Sequence, residues 1–105
     1  MEAALKAIAE PRRRAILTLV RDDERTAGQI ADHFDVTRPA ISQHLTVLKE
    51  AGLVRERREG TRRYYRARPE GLRDLKRFIE DFWDENLQRL KAAAELEERR
   101  RRRAK

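Results

Sequence analysis

Residues 26 to 52 read TAGQIADHFDVTRPAISQHLTVLKEAG, and their pattern is that of two short helices joined by a tight turn. Thr26 with Gln29 three positions later forms a capping box, in which hydroxyl and amide side chains satisfy orphan helical N–H groups. A helix therefore starts there. Ala27, Ile30, Ala31 and Phe34 supply its single apolar stripe, and the pattern breaks at Asp35-Val36. Thr37 caps the second helix, Pro39 stands in the first turn, where its missing N–H costs nothing, and Gly52 is placed as the C′ residue that ends it.

On a helical wheel Ala40, Ile41, His44, Leu45, Val47, Leu48 and Ala51 share one arc, while Arg38, Pro39, Ser42, Gln43, Thr46 and Lys49 share the other. The outer arc carries short hydrogen-bonding side chains flanked by cations, with no carboxylate before Glu50. Such a surface suits a helix lying in the major groove. Thr37, Arg38, Pro39, Ser42, Gln43, Thr46 and Lys49 are the DNA-binding candidates it supplies. His44 is carried with them, although its place in the middle of the apolar arc fits a buried, hydrogen-bonded ring better than a base reader.

The run TRPAISQHLTVLKEAGLV resembles the recognition helix and following strand of the ArsR (arsenic-repressor) family of bacterial winged-helix regulators. EPRRRAIL at 10 to 17 and EGTRRYYR at 59 to 66 match the same family in the same order, so the resemblance covers most of residues 5 to 68. It implies a mainly α fold with a small β-hairpin, a winged helix-turn-helix with N- and C-terminal dimerisation helices. Metal-sensing members are similar to one another in placing cysteines on the first helix of the motif, or Asp and His ligands along the last helix. This chain has Ala27, Gly28, Gln29 and Ile30 in the first region and no histidine after His44, so the resemblance is to the non-metal branch.

The chain of 105 residues is expected to form one domain over residues 1 to 98, followed by a flexible basic tail at 99 to 105. No stretch approaches ~18 consecutive apolar residues, and the N-terminus lacks the pattern of a secretory signal, so a cytoplasmic protein is expected. With no cysteine, disulfides, thiolate metal sites and cysteine nucleophiles are all excluded. The net charge of +7 is segregated: residues 53 to 68 contribute +5, 69 to 98 contribute −4, and 99 to 105 contribute +6. That polarity points to one nucleic-acid face.

Met1 to Ala9 carries Leu5 and Ile8 one turn apart, an amphipathic helix for which its own domain offers little packing. Glu10-Pro11 opens a second helix buried through Ile16, Leu17, Leu19 and Val20. Its first turn holds Arg12, Arg13 and Arg14, read either as a solvated basic turn or as contacts to phosphate or an acidic partner. RDDER at 21 to 25 reads as a charged loop. Leu53 to Arg57 and Arg63 to Ala67, with Gly60 between them, predict a hairpin, the wing. Its arginines cannot all face one way, and Arg58, Arg62 and Arg63 near the tip are the DNA candidates. Tyr64 and Tyr65 face opposite sides, Tyr65 inward.

From Pro69 to about Arg99 the spacing predicts one long helix, whose ~40 Å exceeds the diameter of a compact domain of this size. Leu72, Leu75 and Ile79 are assigned to intrachain packing. Phe78, Phe82, Trp83 and Leu90, joined by Leu5 and Ile8, are the expected dimer interface.

No glycine-rich phosphate loop or serine elbow supports an enzyme, and His33 and His44 lie on different helices. Glu80, Asp81, Asp84 and Glu85 make two i, i+4 carboxylate pairs, a pattern far commoner on solvated faces than in cation sites. No cofactor and no metal is expected. The reading is therefore a homodimeric, sequence-specific repressor of double-stranded DNA acting on a palindromic operator, its effector unknown, with no membrane role. A non-specific nucleic-acid binder using the wing and tail is the rival, and a helical protein-interaction module a second.

Overall fold

A computed structural model describes residues 1 to 104, and the chain divides into two compact units, Met1–Leu75 and Lys76–Lys105. The first contains α1 (Glu2–Ala9), α2 (Pro11–Leu19), β1 (Arg25–Thr26), α3 (Ala27–Ala31), α4 (Arg38–Glu50), β2 (Val54–Glu59), β3 (Arg62–Ala67) and the start of α5 (Pro69–Arg103). The sheet is antiparallel in the order β1-β3-β2. The fold is thus mainly helical with a small three-stranded sheet, a winged helix-turn-helix.

One cluster holds the first unit together. Ile16 and Val20 from the α2 region, Ile30 of α3, Ile41, Leu45 and Leu48 of α4, Leu53 and Val54 entering the wing, and Leu75 of α5 are all buried. Each contributes roughly 1.5 to 3 kcal/mol by leaving water. The inner arc of α4 is therefore what seats it, as the wheel predicts, with one exception. Val47, placed on that arc by its phase, is 37% exposed.

The caps form as the sequence requires. Thr26 Oγ1 accepts from Gln29 N at 3.2 Å while Gln29 Oε1 accepts from Thr26 N at 2.9 Å, and Thr37 accepts from Ala40 N. At the far end of α4, Gly52 (φ 76°) lets Leu53 N donate to Leu48 O and Gly52 N to Lys49 O, a Schellman closure. Gly71 packs against this turn, and any side chain there would meet the Gly52 carbonyl.

Several boundaries differ from expectation. α3 stops at Ala31, after which His33 N and Phe34 N bond to Ile30 O and Ala31 O in tighter i to i+3 turns. Phe34 still packs on the core, so the stripe is used although the helix is shorter. Arg25, expected in a loop, forms β1 with Thr26, opposite Tyr65 and Tyr64. A two-residue strand has no alternation to read, and only its partner reveals it. The wing strands reach within two residues of each other, with Glu59 opposite Arg62, because Gly60 (φ 62°) followed by Thr61 permits a two-residue loop. Tyr65 faces the core, and Tyr64 lies under the Arg57 guanidinium at 4.7 Å.

The N-terminal helix is better seated than its sequence suggests. Ala4 and Ala7 are buried, and Leu5 and Ile8 are half-buried against the core cluster. Two of the three first-turn arginines of α2 explain why, in a role that the sequence does not mark. Arg13 donates to Lys6 O at 3.0 Å and Ala7 O at 2.6 Å, and Arg14 to Ile8 O at 2.7 Å and Ala9 O at 3.3 Å. These are the last four carbonyls of α1, the groups that every helix leaves without intrahelical donors. Arg12 lies over the Phe34 ring at 5.0 Å.

The second unit is the remainder of α5. Ile79, assigned to intrachain packing, is exposed with Phe78, Phe82, Trp83, Leu87 and Leu90. The helix continues through the arginine run expected to be a flexible tail. There Arg101 pairs with Glu97 and Arg102 with Glu98, one turn apart, which supports helix in a segment of otherwise like charge.

Candidate nucleic-acid interface

α4 and the wing present one surface. Along α4, Thr37, Arg38, Pro39, Ser42, Gln43, Thr46 and Lys49 are exposed, as are Arg58, Arg62 and Arg63 on the hairpin. Arg38, Ser42, Arg62 and Arg63 line one cleft of about 360 Å³ together with Thr26, Ala27, Gln29, Thr61 and Tyr65. The start of α4 and the tip of the wing, over twenty residues apart in sequence, thus border the same polar space. Nothing in the sequence marks Thr26, Gln29 and Thr61 for this surface, since their turn and cap roles account for them fully. The Arg38 guanidinium lies flat beside Gly28, where a Cβ would stand 3.6 Å from its Cζ.

The cations differ in availability. Glu56 is only 10% exposed at its side chain and receives Lys49 Nζ at 2.8 Å, Arg63 Nε at 3.4 Å and Arg58 Nε at 3.5 Å. The Lys49 hydrogen bond, first among these, holds the Glu56 carboxyl below its ordinary value. Three sequence candidates are therefore gathered on one carboxylate. Arg57 is occupied in the same way by Glu24 at 2.8 Å and Glu59 at 2.9 Å, which keep its guanidinium more firmly protonated than usual. Among the described residues Arg38 and Arg62 have no carboxylate within ion-pair distance, so their charge is uncompensated.

Two candidates are modified by their hydrogen bonds. Thr46 Oγ1 donates to Ser42 O at 3.0 Å, which leaves the hydroxyl its acceptor lone pairs and its methyl for a ligand. His44 is half-buried, with Nδ1 3.4 Å from Arg13 Nη1, and so is turned toward α2, away from the outer arc. An arginine can only donate, so in this contact Nδ1 is the acceptor.

Residues 10 to 56 match the family model described as "Bacterial regulatory protein, arsR family", a span from the opening of α2 through the helix-turn-helix into β2. The chain is 42% identical over 74 residues to the transcriptional repressor SdpR of Bacillus subtilis, covering 70% of this chain and 82% of that one. It belongs to the ArsR family. Among solved structures, a crystal structure described as "Possible transcriptional regulator for arsenical resistance" superposes with a TM-score of 0.75 at 47% identity, covering 86% of this chain and 94% of that one. A second, the homodimeric winged helix-turn-helix DNA-binding domain from Mycobacterium bovis, is a fragment described as a possible ArsR-family regulator. It has a TM-score of 0.65 at 38% identity, covering 82% of this chain and 80% of that one. This ArsR-family chain is thus a transcriptional regulator whose helix-turn-helix and wing are those of its relatives.

Proposed function

We propose that the chain is a homodimeric repressor that reads a palindromic operator through α4 and steadies itself on phosphates through the wing. The observation that carries this is the shared cleft: uncompensated Arg38 on the reading helix and Arg62 on the wing border one polar space with Ser42 between them. Ser42, Gln43, Thr46, Thr37 and Pro39 are assigned to the bases and adjacent backbone, with Arg38, Arg62, Arg63, Arg58 and Lys49 on phosphates. His44 acts from the inner face. The exposed Phe78, Phe82, Trp83 and Leu90, with the half-buried Leu5 and Ile8, are assigned to the partner subunit, as the homodimer among its structural neighbours supports.

Metal-independent regulation fits the donor set. The chain has no cysteine, and His33 and His44 each have one ring nitrogen engaged, by Gln29 O at 3.0 Å and by Arg13. Glu80 and Glu85 are paired with Lys76 and Arg89. No helix among the described residues is long and apolar enough to cross a membrane.

The rival reading, charge alone binding any nucleic acid, is disfavoured by pairing. Arg57, Arg58, Arg63, Arg101 and Arg102 are each matched to a carboxylate, so they are less free to take any phosphate than the unpaired Arg38 and Arg62 of the cleft. Selection of bound duplexes from a random library at ~0.15 M salt tests the choice. A specific regulator enriches a two-fold symmetric site and prefers it by at least ~10³ over scrambled DNA. Equal affinity for both would establish the charge-driven rival, and binding to neither the protein-interaction module.

A further inference from the structure

The inner face of the reading helix is gripped mostly by groups that give no direction. Ile41, Leu45 and Leu48 are buried apolar side chains, and apolar burial depends on area, not angle. His44 is different. Its Nδ1 meets Arg13 Nη1 at 3.4 Å, while the same guanidinium places Nε 2.6 Å from Ala7 O and Nη2 3.0 Å from Lys6 O. All three nitrogens of Arg13 are thereby committed, two to the last turn of α1 and one to the middle of α4.

We infer that Arg13 is a positioning residue for DNA readout, tying the carboxyl end of α1 to His44 and so fixing the rotation of α4 about its own axis without touching DNA. The inference rests on the DNA reading above. Side-chain tips lie ~5 to 6 Å from a helix axis, so a rotation of about 10° moves them by about 1 Å. That displacement is enough to spoil a two-point hydrogen bond from Gln43 while leaving apolar burial almost unchanged. Because α1 carries Leu5 and Ile8, assigned to the subunit partner, the same link registers the reading helix against the dimer.

The test uses the full chain, the duplex that the unmutated protein enriches from a random library, and a scrambled duplex. Arg13→Ala and His44→Ala each weaken the enriched duplex on the order of tenfold, a coupling of the size that touching residues show, with little change on the scrambled one. The double variant is no weaker than the worse single. His44→Gln, whose side-chain carbonyl can accept from Arg13, restores affinity. Salt dependence stays as in the unmutated protein, whereas removing an arginine from a phosphate would lower the slope by ~0.9.

A lowered slope on both duplexes would make Arg13 a phosphate ligand and overturn the inference, as would additive losses or unchanged discrimination. If Arg13→Ala fails to fold, the two His44 variants decide alone, because they leave the α1 carbonyls capped; failure of His44→Gln to restore affinity then overturns it. An unmutated chain that enriches no duplex overturns the DNA reading itself, and this inference with it.

Discussion

The Lys49 ammonium lies 2.8 Å from the Glu56 carboxylate, joining the last turn of the reading helix to the first strand of the wing. Arg58 and Arg63 approach the same carboxylate from the hairpin tip. Glu56 therefore sets both the relative placement of two DNA-facing elements and how much of their charge is spare.

Glu56→Gln is expected to release Lys49, Arg58 and Arg63, raising affinity for scrambled DNA more than for the selected site and steepening the salt dependence. Its stability effect has a definite pH sense. The folded carboxyl is held below its ordinary value of 4.5, so its contribution is fully present above that pH and is lost as pH falls through the folded value. Chemical denaturation at pH 7 should thus find Glu56→Gln less stable than the unmutated protein, and the gap should close in strongly acidic buffer. A gap that widens on acidification would refute the assignment.

Arg55 and Arg66 stand directly opposite each other on β2 and β3, both exposed, and among the described residues neither has a carboxylate within ion-pair distance. Like charges so placed cost stability, and opposite charges are worth ~0.2 to 1 kcal/mol. Arg55→Glu should therefore raise the unfolding midpoint by a few degrees in a thermal melt. An unchanged or lowered midpoint would show that the pair costs the fold nothing.

Phe78 and Phe82 stack one turn apart, with centroids 6.4 Å apart, beside Trp83 at 64% exposure. Aromatic groups of this size left in water on one helix face call for a partner. Light scattering at micromolar concentration should give about twice 12.5 kDa, and Trp83→Ala should shift that toward the monomer while helical circular dichroism is retained. A dimer unaffected by Trp83→Ala and Phe82→Ala together would place the interface elsewhere.

How much of this is legible in the sequence follows from which signals are local. The Thr26–Gln29 box, the Thr37 cap and the Gly52 closure are set by residues within a few positions of one another, and all appear where the spacing places them. β1 exists only because Tyr64 and Tyr65 pair with Arg25 and Thr26 across nearly forty residues, which no window along the chain can contain. The use of Arg13 and Arg14 as caps for another helix is hidden for the same reason: arginines in a first turn oppose the helix dipole, and nothing local says which carbonyls they reach. The candidate interface is readable from the wheel, but which of its cations are spare depends on Glu56, a strand residue whose face only the register reveals.

The sharpest division of labour is between Gln43 and Arg62. Gln43 is exposed on the outer arc between Ser42 and Thr46, and a glutamine amide can pair with adenine through both its atoms, an interaction worth about 1 to 3 kcal/mol of discrimination. Gln43→Ala should therefore weaken the selected duplex by roughly 5- to 150-fold for each half-site contacted and relax preference at one base pair in each half-site, with little effect on scrambled DNA. Arg62 borders the cleft at the wing tip without a carboxylate among the described residues, so it is placed to meet a phosphate. Arg62→Ala should lower affinity for both duplexes by similar factors and flatten the salt dependence by ~0.9 for each phosphate left unneutralised, twice that if both subunits are affected. Paired salt titrations on the two duplexes measure all four quantities. Equal losses for Gln43→Ala on both duplexes, together with an altered base preference for Arg62→Ala, would reverse the roles. If neither change matters while removal of residues 99 to 105 abolishes binding, the cleft between α4 and the wing is not the DNA site, and charge at the end of α5 carries the affinity instead.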